Sequence, residues 1–315
     1  MSQTKKSQTT NTILMIRPVN FRMNEQTAVN NYFQEDLNIK NAEINAKAQV
    51  EFDDFVEKLR AVGVNVIVEN DDELMDTPDS IFPNNWVSFH ENGDVGLYPM
   101  FAENRRRERR DEVFIRLEKE GFQINNIVDY TSAEDEGFFL EGTGSILLDR
   151  IISKAYCALS PRADEELFIE FCEDFEYTPV VFTAYQNVDG KRLAIYHTNV
   201  MMCLAEKFSV ICLDSIDDKK ERKNVVKNLK QDGKAIIEIN ESQMHQFAGN
   251  MLQVKGENDQ RYLVMSKAAH DSLTPKQVAD IERFCPILSS SLETIETCGG
   301  GSARCMMAEV FLPKV

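Results

Sequence analysis

The chain has 315 residues, 43% of them apolar and 28% charged, a globular balance that excludes a disordered tail, a collagen-like fibre and a small disulfide-stapled scaffold. Lys plus Arg number 35 against 52 Asp plus Glu, and the resulting charge of −17 repels phosphate backbones, so no nucleic-acid partner is expected. No apolar run approaches the roughly 20 residues of a bilayer span, so no membrane partner is expected either.

Residues 1–11 are polar, lack the apolar core of a signal peptide and are expected as a flexible tail. Residues 12–315 are expected as one domain, because no proline- or glycine-rich linker divides them. A strand over 12–16 is followed by a helix striped with Ala48, Phe52, Phe55, Val56 and Leu59; Gly63 can stop it, and 64–68 reads as a buried strand. Residues 86–89 and 95–98, around Glu91-Asn92-Gly93-Asp94, read as a hairpin. Val113, Phe114 and Leu117 stripe a second helix, with Gly121 and a strand over 122–128 after it.

A second hairpin joins 145–148 to 155–159; Asp164 can cap a helix with Leu167, Phe168 and Phe171 inward, and 179–182 follows. The pattern returns as 200–204 with 209–213, a helix striped with Val225, Val226 and Leu229, Gly233, and 235–239. It returns again as 251–254 with 262–265, a helix opened by Thr274-Pro275, and 286–288. The last segment, 303–312, can pair beside 12–16. The pair-opening residues Trp86, Ser145, Val200, Met251 and Ala303 stand 59, 55, 51 and 52 apart. The chain thus reads as α/β, with five similar units of strands plus one helix. Radial repetition would bury every unit without long edges, and an open α/β sheet fits the same pattern.

Seven cysteines, odd in number and irregularly spaced, fit reduced thiols in a cytoplasm. No nucleotide or cofactor signature is present, and His90, His197, His245 and His270 stand at no ligand spacing, so neither cofactor nor metal is expected. Three segments carry chemistry. Gly299-Gly300-Gly301-Ser302-Ala303-Arg304-Cys305 sets three glycines, which let backbone approach a ligand, before a cysteine that Arg304 could activate. Alone, it also reads as a turn before a buried cysteine.

Residues 194–200 read as a strand, with His197 and Asn199 on one face as a general acid/base and a substrate-reading amide. A packed core histidine is the plainer alternative. Phe138-Phe139-Leu140-Glu141-Gly142-Thr143-Gly144-Ser145 places one carboxylate, Glu141, between an apolar run and two glycines, where it could orient His197.

Leu-Glu-Gly, His-x-Asn and a glycine-rich segment ending in a C-terminal Cys together resemble the pentein superfamily of guanidine-modifying enzymes, which includes arginine deiminase, dimethylarginine dimethylaminohydrolase and the amidinotransferases. The resemblance covers nearly all of residues 12–315 and implies a five-unit α/β propeller. It makes Cys305 the nucleophile, His197 the general acid/base and Glu141 its carboxylate partner. Met100 followed by Arg105-Arg106-Arg107-Glu108, and Leu159-Ser160-Pro161-Arg162, resemble the two segments that bind the substrate α-carboxylate, pointing to Arg105 and Arg162. A solvated helix start is the alternative for 105–110.

Deiminases hold the guanidinium with two aspartates. Here the corresponding segments read Phe82-Pro83-Asn84-Asn85 and His197-Thr198-Asn199, so Asn85 and Asn199 replace both acids. Amides leave a guanidinium without counter-charge but suit a neutral ureido group, with which they exchange hydrogen bonds both ways. The expected protein is therefore a cofactor-free thiol hydrolase acting on citrulline, and the Phe-Pro-Asn-Asn-Trp segment also resembles the bacterial citrulline hydrolase branch. The alternatives are an arginine or methylarginine deiminase, an amidinotransferase, a relative acting on succinylated arginine, or a non-catalytic binding protein of the same fold. The expected partner is a small amino-acid substrate. The sequence leaves open the oligomeric state, homo-oligomers included.

Overall fold

The computed structural model describes residues 6–314. Each expected helix forms where its apolar stripe lies. Helix Asn41–Ala61 buries Ala48, Phe52, Phe55 and Leu59 completely, and each phenylalanine and the leucine contributes about 1.5–3 kcal/mol. Helices Asp111–Lys119, Glu165–Asp174, Lys219–Gln231 and Pro275–Glu282 follow the same logic. The Asp164 carboxylate caps the third from its Leu167 amide, and Thr274 with Gln277 closes a capping box on the last.

Each of these helices leads into a strand that pairs parallel to the middle strand of a three-stranded sheet. Thus Asn65–Asn70 lies beside Thr12–Arg17, and Asn126–Asp129 beside Asp94–Leu97. Thr178–Thr183 lies beside Lys154–Leu159, Ala235–Glu238 beside Phe208–Ile211, and Ile287–Ser290 beside Arg261–Ser266. The other edge of each middle strand carries an antiparallel partner: Val87–Phe89, Ile146–Asp149, Met202–Leu204 and Leu252–Lys255 in the last four sheets. Gly93, at φ +88, supplies the left-handed residue of the first hairpin turn.

The final segment does pair beside the first strand, but over two residues, Ala308–Glu309, registered on Leu14 and Ile13. A sixth sheet was not expected: Tyr185–Val188 and Lys191–Ala194 form a separate two-stranded hairpin. It ends at Ala194, so the strand expected over 194–200 does not form. Of the stretch expected as a tail, residues 1–5 lie outside the described residues. Gln8 and Thr9 are buried, and Gln8 joins the Leu148 carbonyl to the Arg150 amide (both 2.8 Å). Among the described residues no helix is long and apolar enough to cross a membrane, and all seven cysteines are free and buried.

Candidate active site

Glu141, His197 and Cys305 come from three different units; His197 and Cys305 line one small cavity, and Glu141 stands behind His197. Glu141 precedes the short helix Gly142–Ser145, which runs into Ile146–Asp149. His197 precedes the short helix Thr198–Met201, which runs into Met202–Leu204. This helical turn replaces the expected strand, and it separates side chains that a strand would have aligned. His197 therefore meets Glu141 while Asn199 turns to the sulfur of Cys305, its Nδ2 at 3.5 Å.

Cys305 lies in the turn after the three glycines, and its amide donates to the Ser302 carbonyl (3.0 Å). Arg304 does not activate it: its guanidinium is turned to Glu309 (2.9 Å) and the Met307 carbonyl (2.8 Å). Two glycines make room for the other members. A Cβ on Gly144 would lie 2.8 Å from His197 Nδ1 and 2.5 Å from Asn85 Nδ2, and one on Gly142, at φ +43, would lie 2.5 Å from the Asn84 carbonyl oxygen.

His197 Nε2 lies 2.7 Å from Glu141 Oε2. Burial works against the Glu141 charge, but the Arg162 guanidinium, the His197 hydrogen bond and Arg105 outweigh it and hold the carboxyl far below the usual carboxylate range. Burial pulls His197 down to about 4, against the opposing influence of Glu141. The imidazole is then neutral at pH 7. A proton on Nε2, donated to the ionised Glu141, leaves Nδ1 as the free acceptor.

The cavity has a volume of only about 10 Å³, room for roughly one water molecule, and every lining residue is buried, among them Asp79, Asn85, Arg162, His197 and Cys305. Residues 24–34 cover it. Asn31 Nδ2 donates to the Gly299 and Gly300 carbonyls (both 3.3 Å), and Gln34 Nε2 to Gly299 (3.1 Å). Arg162 holds the same segment through Asn30 Oδ1 and the Thr27 carbonyl (both 2.8 Å). Arg105 also lines the cavity, but its fork already grips Glu108 at 2.8 and 2.9 Å, and its Nη1 holds Asn85 Oδ1 at 2.7 Å. Of the two amides, Asn85 lies on the cavity wall with Cys305, and Asn199 lies beside the sulfur of that cysteine.

Two residues escaped the sequence reading. Asp79 is fully buried, and its Oδ2 accepts from Asn24 (2.8 Å) and Thr27 (3.1 Å), while its Oδ1 has no partner among the described residues. Burial raises its carboxyl above the usual range, opposed by Arg105. The only signal was an acid just ahead of Phe82-Pro83. Asn250, whose Nδ2 lies 3.2 Å from Cys305 Sγ, is the other. Its signal was in the repeat: Asn85, Asn199 and Asn250 each stand immediately before a pair-opening residue.

No curated protein matches the sequence. A profile of the family described as N,N dimethylarginine dimethylhydrolase, eukaryotic, matches residues 17–312. Among solved structures, apo ArgZ, an arginine dihydrolase from the ornithine-ammonia cycle in cyanobacteria, superposes with a TM-score of 0.72 at 15% identity, over 96% of this chain and 41% of ArgZ. The substrate-bound N-terminal domain of ArgZ, a cysteine-to-serine variant, gives 0.69 at 16% identity, over 96% of this chain and 99% of that domain. A dimethylarginine dimethylaminohydrolase adduct with S-methyl-L-thiocitrulline gives 0.61 at 14% identity, over 95% of this chain and 98% of the other. The chain therefore spans about two fifths of full-length ArgZ. At these identities the likeness is one of α/β fold.

Proposed function

The chain belongs to the N,N dimethylarginine dimethylhydrolase family, within the pentein superfamily, and from that premise we propose that it hydrolyses citrulline to ornithine, carbon dioxide and ammonia. In this reading residues 12–315 form one domain whose five units turn about a common axis as a propeller.

His197 Nδ1 takes the thiol proton of Cys305 as Sγ attacks the ureido carbon. The tetrahedral adduct collapses when His197 returns that proton to the leaving nitrogen, releasing ornithine and leaving an S-carbamoyl cysteine. His197 then takes a proton from water, the hydroxide attacks the carbamoyl carbon, and the proton goes back to the departing sulfur. The carbamic acid released decays to carbon dioxide and ammonia. Glu141 stabilises the imidazolium in both half-reactions.

The charges on the cavity wall carry this reading. Asp79 is the one carboxylate among the lining residues, with one oxygen unpartnered. It takes the α-ammonium. Arg162, held by an amide and a carbonyl rather than by a bidentate carboxylate, takes the α-carboxylate, with Arg105 behind it. Citrulline brings no further charge. Arginine brings a second cation, and burying it without a partner costs several kcal/mol.

Incubation with citrulline, arginine, dimethylarginine or no substrate, with ornithine, citrulline and ammonia assayed, tests this. Ornithine from citrulline supports it. Faster consumption of arginine overturns it in favour of a guanidino hydrolase, the reading closest to the ArgZ and dimethylarginine neighbours. No turnover of any substrate leaves a binding protein.

Gly144→Ala is expected to lower citrulline turnover at least tenfold with an unaltered circular dichroism spectrum, because the added methyl displaces both His197 and Asn85. Overpacking of this kind costs roughly 1–3 kcal/mol. Full activity in this variant would mean that the imidazole is not pinned against Gly144.

A further inference from the structure

A cysteine that attacks a guanidinium has a cation beside it once substrate is bound, and an opposite charge nearby favours the thiolate. A neutral ureido substrate brings no such help, so the protein must stabilise the sulfur charge itself. Among the described residues the hydrogen-bond partners of Cys305 Sγ are two amides: Asn250 Nδ2 at 3.2 Å and Asn199 Nδ2 at 3.5 Å donate to it, and as a thiol it donates to Asn199 Oδ1 at 3.8 Å. No arginine or lysine touches the sulfur, since Arg304 is spent on Glu309.

The orientation of Asn250 is fixed at both ends. The Arg304 amide donates to its Oδ1 (2.9 Å), and its Nδ2 donates to the Asn199 carbonyl (3.0 Å). One hydrogen of that Nδ2 is used on Asn199, so the second is presented to the sulfur. Asn250 is fully buried, and no water competes for that hydrogen.

We propose that Asn250, seconded by Asn199, is a catalytic residue that stabilises the charge on Cys305 Sγ by neutral hydrogen bonding, so that the thiolate is available without a cationic substrate. The proposal rests on Cys305 being the nucleophile.

Alkylation of Cys305 by iodoacetamide at pH 7 without substrate, located by mass spectrometry, reads the thiolate directly. Asn250→Ala removes the donor and should slow alkylation about tenfold, the worth of one hydrogen bond to a charged group. Asn250→Asp keeps the shape and the acceptor for the Arg304 amide but replaces the donor by an oxygen. It should be slower still, and kcat on citrulline should fall in the same order. A merely structural role predicts alkylation no slower than wild type in either variant, since each loses the bond to the Asn199 carbonyl and a loosened site exposes the buried sulfur. Asp alkylating faster than Ala, or both within twofold of wild type, overturns the proposal. If Asn250→Ala fails to fold, Asn250→Asp against wild type decides alone. Failure of the underlying reading shows separately, as turnover that survives complete alkylation of Cys305.

Discussion

Cys305→Ser is expected to abolish citrulline turnover, to below about one part in a thousand, with the melting temperature little changed. The hydroxyl is isosteric enough to occupy the turn after Gly299–Gly301, where the backbone hydrogen bond to Ser302 is untouched. Its chemistry differs. A serine hydroxyl is far less acidic than a thiol, so it has no anion to offer near neutral pH and is a much weaker nucleophile in a site arranged for sulfur. The other six cysteines, buried and away from the cavity wall, are expected to be replaceable without loss of kcat. Steady-state assays of all seven serine variants check this. Activity surviving in Cys305→Ser but lost in another variant would move the nucleophile elsewhere.

His197→Ala should cost about 10²–10⁴-fold in kcat, the usual worth of general acid–base help. Glu141→Ala should cost less, because the imidazole stays but loses the charge that orients it. The pH dependence has a definite sign. His197 must be neutral to accept the thiol proton, and burial lowers it to about 4, so the acid limb of kcat, read with substrate bound and Asp79 already paired with the α-ammonium, should fall as pH drops through about 4. An ordinary exposed histidine would put that limb near 6.5. Glu141 remains ionised throughout this range. Glu141→Ala removes the opposing upward pull, so any acid limb set by His197 should move lower still. An acid limb near 6.5 in the wild type would mean that the resting imidazole is not the buried one described.

Much of this molecule is legible in one dimension because burial periodicity is a local property. The stripe of Phe52, Phe55 and Leu59, and the stop at Gly63, need no knowledge of what they pack against. The hairpin ending at Ala194 is different. Its strands include Lys191 and Arg192, both exposed, and carry too weak an alternation to announce themselves. Glu141, His197 and Cys305 stand out as polar groups in apolar or glycine-rich strings. Asp79 does not, because what makes it unusual is supplied by Asn24 and Thr27, more than fifty positions away. Arg105 and Arg162 could be chosen as guanidiniums facing a carboxylate, but only the structure reveals that Glu108 and Asn30 already occupy them.

The covering segment 24–34 has a consequence for affinity. Arg162 is held by Asn30 and the Thr27 carbonyl, and Asp79 by Asn24 and Thr27. These are the groups assigned to the two ends of the substrate. Binding is therefore a trade of internal partners for external ones, and its free energy is the difference between two nearly matched sets of contacts rather than the sum of one. On the proposed reaction, affinity is set by that difference. The cavity lining is buried throughout, so in that cycle the space left by ornithine is where the single water that completes it must arrive.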